Sequence, residues 1–142
     1  GQTLSEHWQE GLRTFQGLTS HGFPNCFFLG FTQTAVTVNV PHALNEQAKH
    51  VAHILQAARD RGTPTVEPTA QAEEDYVQEI AKSANVGARF YAECTPGYYN
   101  SEGKRGNRSG FFSDMHSAGA IKFFKLLKDW RDEGSLEGLD LS

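Results

Sequence analysis

Residues 25–55, NCFFLGFTQTAVTVNVPHALNEQAKHVAHIL, run from an aromatic segment through a polar, β-branched stretch into an amphipathic helix. Asn25 to Leu29 suit a short strand, and Pro41 fits the first turn of a helix. Beyond it Leu44, Ala48, Val51, Leu55 and Ala58 recur at spacings of 4, 3, 4 and 3, which predicts one buried apolar face. Gly62 is placed to end that helix as a left-handed stop. Between strand and helix stand Thr32, Gln33, Thr34, Thr37 and Asn39, more hydrogen-bonding capacity than a plain connection needs. β-propensity alone reads 34–40 as a strand. What those polar groups face decides whether it is one.

Outward from this stretch the elements are short. TLSEHWQE (3–10) carries a capping box, with Thr3 as N-cap and Glu6 three residues on, and Gly11 stops a helix of about two turns. Residues 13–20 have strand character, and SHGFPN (20–25) is turn chemistry, so a strand pair 13–20 with 25–29 is predicted. Such a pair, short of neighbours, would leave sheet edges unpaired. TPTVEPT (63–69) reads as a proline-punctuated connector. Thr69 caps a second helix whose buried side holds Tyr76, Ile80 and Ala84, with Glu73, Glu74 and Asp75 at its start. Residues 94–110, CTPGYYNSEGKRGNRSG, form a long glycine-rich loop of the kind that carries function or disorder. A last helix spans about Ala118 to Glu133, with Ile121, Phe124, Leu127 and Trp130 on one face. The fold class is therefore an α+β fragment: a short strand pair plus three amphipathic helices.

Composition bounds the function. The chain has 142 residues, 38% of them hydrophobic, and a formal net charge of -4. That size suits one domain. The basic residues are scattered apart from Lys104, Arg105 and Arg108, so no nucleic-acid footprint is present. No apolar run reaches the length of a membrane span. Cys26 and Cys94 lack paired-cysteine spacing, which implies neither a disulfide framework nor a zinc site and fits a reducing, cytoplasmic setting. The chain opens on Gly1 without an initiator Met and reads as a piece of a longer protein.

Few residues offer chemistry on their own. Glu46, His50 and His53 share two turns of one helix, but no HExxH pattern accompanies them, and a solvated helix face is the simpler reading than a metal site. Cys26 sits in an apolar segment and reads as a small core residue; Cys94 borders the loop without a nucleophile signature. GKRGNRSG (103–110) lacks the spacing and the strand-to-helix setting of a phosphate loop. Phe90, Tyr91, Phe123, Phe124, Leu127 and Trp130 read as core. No catalytic residue and no metal ligand is assigned.

LSEHWQEGLRTFQGLTSHGFPNCFFLGF (4–31) resembles a segment of Baeyer-Villiger monooxygenases. The shared positions are Trp8, Gly11, Thr14, Phe15, Gly17, Gly22, Phe23, Pro24, Asn25, Phe27 and Phe28, continuing through Asn39 and Leu44-Asn45-Glu46-Gln47. CTPGYYNSEGK (94–104) and FFKLLKDWRDEGSLEGLDL (123–141) are similar to the carboxy-terminal third of the subgroup acting on cyclic and bulky ketones, including steroids. The resemblance implies an NADPH- and FAD-dependent enzyme that inserts one oxygen atom of O2 into a ketone, giving an ester or lactone. It implies that 30–40 is a loop, not a strand, running over the flavin. Gly30, Gln33, Thr37, Asn39, Val40 and Cys94 would then contact cofactor, and Thr34, Val36 and Val38 would contact substrate. Cys94 stands where many relatives place a nucleotide-contacting Trp. Residues 1–62 would end the FAD domain, and 63–142 would form a helical carboxy-terminal extension that orders the loop 94–110 over NADP. The dinucleotide fingerprints and catalytic residues of the family lie upstream in relatives, so the missing amino-terminal portion is the implied partner and completes an FAD/NAD(P)-binding α/β fold. The competing readings are a non-catalytic binding module derived from such an enzyme and a scaffold dimerising through the last helix.

Overall fold

The computed structural model describes residues 1–83, 115–116 and 118–142. The readings for Ala84, Phe90, Tyr91, Cys94 and the loop 94–110 lie outside them. The described residues form a small α+β unit: α1 (Leu4–His7), α2 (Val40–Arg61), β1 (Val66–Pro68), α3 (Ala70–Ser83), α4 (Ala120–Glu133) and β2 (Leu139–Leu141).

The helix ends follow their local chemistry. Thr3 caps α1 with both halves of the capping box in place: Glu6 N–H donates to Thr3 Oγ1 at 3.3 Å, and Thr3 N–H donates to Glu6 Oε2 at 2.7 Å. The regular helix is shorter than the sequence suggests, and Trp8 is its C-cap. Asn39 caps α2, Pro41 stands in its first turn, and Gly62 ends it in the left-handed conformation. Thr69 Oγ1 accepts from Ala72 N–H at the start of α3. Gly134 ends α4 in the same way as Gly62 ends α2.

The strand pair is not where the sequence placed it. Residues 13–20 form a tight turn closed by one bridge between Phe15 and Thr19, and 25–29 make no strand. Gln16 and Gly17 both take positive φ, which bends the backbone away from a ladder. The sheet consists instead of β1 and β2, antiparallel, with Val66 opposite Leu141 and Pro68 opposite Leu139. Paired bonds between Thr65 and Ser142 extend it. Cys26 is exposed, not a core residue, because the turn Phe23–Cys26 projects it outward.

Two of the predicted helix faces are offset. In α2 the buried row is Ala43, Gln47, His50, Ile54 and Ala58, so only Ala58 of the predicted row is inside; Leu44 and Leu55 remain 38% and 46% exposed. In α4 the buried row is Phe123, Leu127 and Trp130, leaving Ile121 exposed and Phe124 half-buried. Tyr76 and Ile80 of α3 are buried as predicted. The helices α2 and α4 pack together, and one core cluster joins Ile54, Ala58, Val66, Trp130 and Leu136. A second joins Leu18 of the turn and Ala35 of the loop to Phe123 and Leu127 of α4. Burying Ala35 there fixes the loop to the body of the fold.

Candidate functional site

Residues 30–39 are a loop, as the resemblance implied against local strand propensity, and of its polar side chains Gln33 and Thr34 are buried. Gln33 is buried and takes φ 55. Its Oε1 accepts from Thr14 Oγ1 at 2.6 Å, and its Nε2 donates to the Leu12 carbonyl at 2.9 Å. Its own carbonyl accepts from the Tyr76 hydroxyl at 2.7 Å. Thr34 is fully buried and donates to the Gly30 carbonyl at 2.8 Å, while its carbonyl accepts from His116 N–H. Buried polar groups in this loop are thus paired, as a low-dielectric interior demands.

Gly17 explains the Thr-aromatic-x-Gly pattern. A Cβ on it would lie 2.4 Å from Thr34 Cγ2 and 2.5 Å from the Thr32 carbonyl, so only glycine lets the 15–19 turn lie flat against the loop. Gln47 completes the frame from α2. Its Oε1 accepts from Gly30 N–H at 2.8 Å, and its Nε2 donates to the Gly30 carbonyl at 2.9 Å.

What the loop leaves outside is mostly apolar. Val36 and Val38 are exposed and Val40, at the start of α2, is half-buried. Thr37 Oγ1 accepts from Asn39 N–H, and Asn39 Oδ1 accepts from His42 N–H at 3.2 Å, so the Asn39 side chain serves the helix cap. Gln47, Tyr76 and Thr14 are framing residues that the sequence reading did not assign. Gln47 already stood inside the Leu-Asn-Glu-Gln motif, which was its one available signal.

A buried carboxylate anchors α3 to the amino-terminal turn. Glu73, 2% exposed, accepts from Ser20 Oγ at 2.7 Å, from His21 N–H at 2.9 Å and from His7 Nε2 at 3.2 Å. Arg13 Nε lies 3.4 Å away. Burial opposes ionisation of Glu73, but the bonds from Ser20, His21 and His7 outweigh it and hold the carboxyl below its ordinary range.

The group Glu46, His50 and His53 is not a solvated face. His50 is fully buried between α2 and α4, its ring 4.8 Å from that of Trp130 and its Nδ1 3.4 Å from Arg131 Nη1. Glu46 pairs with Lys49 at 2.7 Å and with Arg131 at 3.5 Å. Burial, then the Arg131 charge, pushes the His50 pKa down to about 3, so its imidazole is neutral. Among the described residues no group of three or more His, Cys, Asp and Glu side chains is placed to hold a metal ion. A groove of about 740 Å³ runs between α3 and α4 over Phe15, Tyr76, Leu126 and Trp130, and no residue of 30–40 lines it.

The geometry is that of a pre-formed loop, tied from behind on every side and apolar in front. No family model matches the chain. It is 45% identical over 141 residues to neopentalenolactone D synthase of Streptomyces avermitilis, which covers 99% of this chain and 24% of that protein. It is 46% identical over 134 residues to a Baeyer-Villiger monooxygenase of Streptomyces coelicolor, covering 94% and 22%. Along its length the chain is homologous to one segment of Baeyer-Villiger monooxygenases. The polycyclic ketone monooxygenase of Thermothelomyces thermophila superimposes with a TM-score of 0.86 at 36% identity, over 100% of this chain and 23% of that one. An oxidized steroid monooxygenase bound to NADP gives 0.75 at 25% identity, over 99% and 24%. The chain therefore spans about a quarter of the proteins it matches. No helix among the described residues is long and apolar enough to cross a membrane.

Proposed function

We propose that the chain is the carboxy-terminal portion of an FAD- and NADPH-dependent monooxygenase that inserts one oxygen atom into cyclic ketones to give esters or lactones. The observation that carries this reading is the similarity, along nearly the whole chain, to a Baeyer-Villiger monooxygenase and a polycyclic ketone monooxygenase. The NADP-bound steroid monooxygenase among the structural matches supports the nucleotide assignment. In this reading residues 1–62 close the FAD domain, 63–142 extend from it, and the rest of the same polypeptide supplies the remaining α/β fold. The relatives named above are enzymes, which does not favour a non-catalytic module.

The residues fit a cofactor- and ketone-facing role in a specific way. Val36 and Val38 present β-branched apolar surface that the described residues leave uncovered, the surface an apolar pocket needs. Thr37, Asn39 and Val40 stand beside them at the start of α2, where backbone N–H groups are unpaired by the helix itself. Gly30, Gln33 and Thr34 act through the shape of the loop, since the two side chains are already bonded inside. Bound FAD supplies the redox chemistry; the role of these residues is to seat it, orient the ketone and exclude water. Cys94 would contact the nucleotide.

The test is ketone-dependent NADPH oxidation by the full-length flavoprotein, with mass analysis of the product. A gain of one oxygen atom is the result expected. NADPH oxidation that is indifferent to ketone, with no oxygenated product from a panel of cyclic and steroidal ketones, overturns the reading.

A further inference from the structure

We propose that Gln47 is the positioning residue of this site: its single amide sets where the apolar front of the loop sits relative to α2. The proposal rests on the monooxygenase reading and adds a residue that touches neither cofactor nor ketone. Gln47 is 1% exposed and lies on α2, two turns beyond the Asn39 cap. Its acceptor meets the Gly30 N–H and its donor meets the Gly30 carbonyl, so it binds the Gly30 backbone on both sides as a neighbouring strand would. The other end of the loop is fixed to the same helix by the Asn39 cap. The chain from Phe31 to Val38 is therefore a closed span with both feet on α2, and the Gln47 amide fixes the amino-terminal foot.

The residue type follows from this geometry. The partly buried N–H and C=O of Gly30 need one acceptor and one donor at a fixed separation, and a neutral carboxamide supplies both without burying charge. Glu keeps the length but has no donor for the Gly30 carbonyl when ionised. Asn keeps the chemistry but is one methylene short. Gly30 itself takes φ +146 and a Cβ there would meet nothing within 4 Å, so its side of the clamp is chosen for backbone conformation and not for space. Thr34 Oγ1 donates to the same Gly30 carbonyl, which ties the clamp to the next turn of the loop.

The experiment uses the full-length flavoprotein and the variants Gln47→Glu and Gln47→Asn. Amide exchange over 30–40 is measured together with coupling, the fraction of oxidised NADPH that appears as oxygenated ketone, and with KM for the ketone. We expect exchange in the loop to rise about tenfold, the scale of one lost hydrogen bond, while β1 and β2 keep their protection. Coupling should fall severalfold and ketone KM rise, with NADPH oxidation in the absence of ketone within about twofold of the wild type. Unchanged loop exchange in both variants overturns the clamp. Faster exchange with unaltered coupling and KM overturns the positioning role and leaves Gln47 a purely structural residue. A wild-type protein that forms no oxygenated product overturns the monooxygenase reading instead, and is recognised before any variant is compared. Should Gln47→Glu fail to fold, Gln47→Asn carries the same comparison.

Discussion

The hydroxyl of Tyr76 donates to the backbone carbonyl of Gln33 over 2.7 Å, joining the middle of α3 to a loop residue held at φ 55. A left-handed conformation costs a non-glycine residue about 1–2 kcal/mol, so it persists only where its surroundings impose it. Tyr76→Phe removes the donor and leaves a buried carbonyl short of a partner. We expect a loss of about 1–2 kcal/mol in unfolding free energy. Urea titration of the full-length protein measures it, and exchange at Thr32 to Ala35 should quicken in the same variant.

Gly17→Ala tests the close approach of the turn to the loop. The added methyl would meet Thr34 Cγ2 and the Thr32 carbonyl at distances no real Cβ tolerates, and φ is +74. Overpacking and backbone strain together should cost about 3 kcal/mol or more. Gly22→Ala is the control: its φ is also positive, but nothing lies within 4 Å of the added methyl. Melting temperatures of the two variants should differ clearly, with Gly17→Ala the lower.

Glu73→Gln keeps the shape of the buried side chain and removes its charge. Breaking charge-assisted bonds to Ser20, His21 and His7 should cost about 2–3 kcal/mol at neutral pH. The carboxyl titrates lower in the folded state than its ordinary 4.5, so its contribution is present above that value and is lost as pH falls through the folded one. The wild type should therefore show an acid-destabilisation component below about pH 4.5 that the variant lacks.

His50 acts over a higher window. Its folded pKa is about 3 against 6.5 unfolded, so the unfolded chain binds the extra proton first. Stability is whole above pH 6.5 and declines as pH falls toward 3, by up to about 1.4 kcal/mol per pH unit. His50→Gln should flatten the stability profile between pH 6.5 and 4.5. Equilibrium denaturation at stepped pH distinguishes this from the Glu73 component.

The outward row of α2 carries its own prediction. Leu44 and Leu55 are partly exposed although the row is as apolar as a core face. If the remaining polypeptide of the proposed enzyme covers that row, Leu55→Ser should cost about 1–2 kcal/mol in the full-length protein. On the 142-residue chain alone the same change should leave stability within about 0.5 kcal/mol. Equal effects in both settings would show that nothing further covers the row.

Local rules made the helix termini legible. Thr3, Pro41, Gly62 and Thr69 each act within a few residues of themselves, and each stands where its chemistry placed it, whereas the capping role of Asn39 was not the one assigned to it. The faces were harder to read. The buried row of α2 contains Gln47 and His50, so a search for apolar periodicity selects the neighbouring row of Leu44, Ala48, Val51 and Leu55. Strand propensity misled at 13–20 and 25–29, because positive φ at Gln16, Gly17 and Asn25 cannot be seen in residue type alone. The pairing of Val66 with Leu141 was invisible for the opposite reason: three-residue strands this far apart leave no local pattern. In the candidate site the loop was legible through the family resemblance and not from residue propensity, and the direction of its polar side chains was not legible. Gln33 and Thr34 face inward to Thr14, Leu12 and Gly30, Asn39 serves the helix cap, and Val36 and Val38 remain in front.

The ladder of Val66–Pro68 with Leu139–Leu141, flanked by Thr65 with Ser142 and by Thr69 with Gly138, has a consequence for how this sequence can change over time. It fastens the two ends of everything that lies between. The entropic penalty for closing such a span grows only with the logarithm of its length, about 0.6 kcal/mol for each doubling. The closing cost of the ladder is therefore nearly indifferent to how many residues it spans, whereas the loop from Gly30 to Asn39, held by Gln47, Thr14, Tyr76 and the Asn39 cap, tolerates almost no change of length. Lineages diverging from this protein should hold the length of that loop constant.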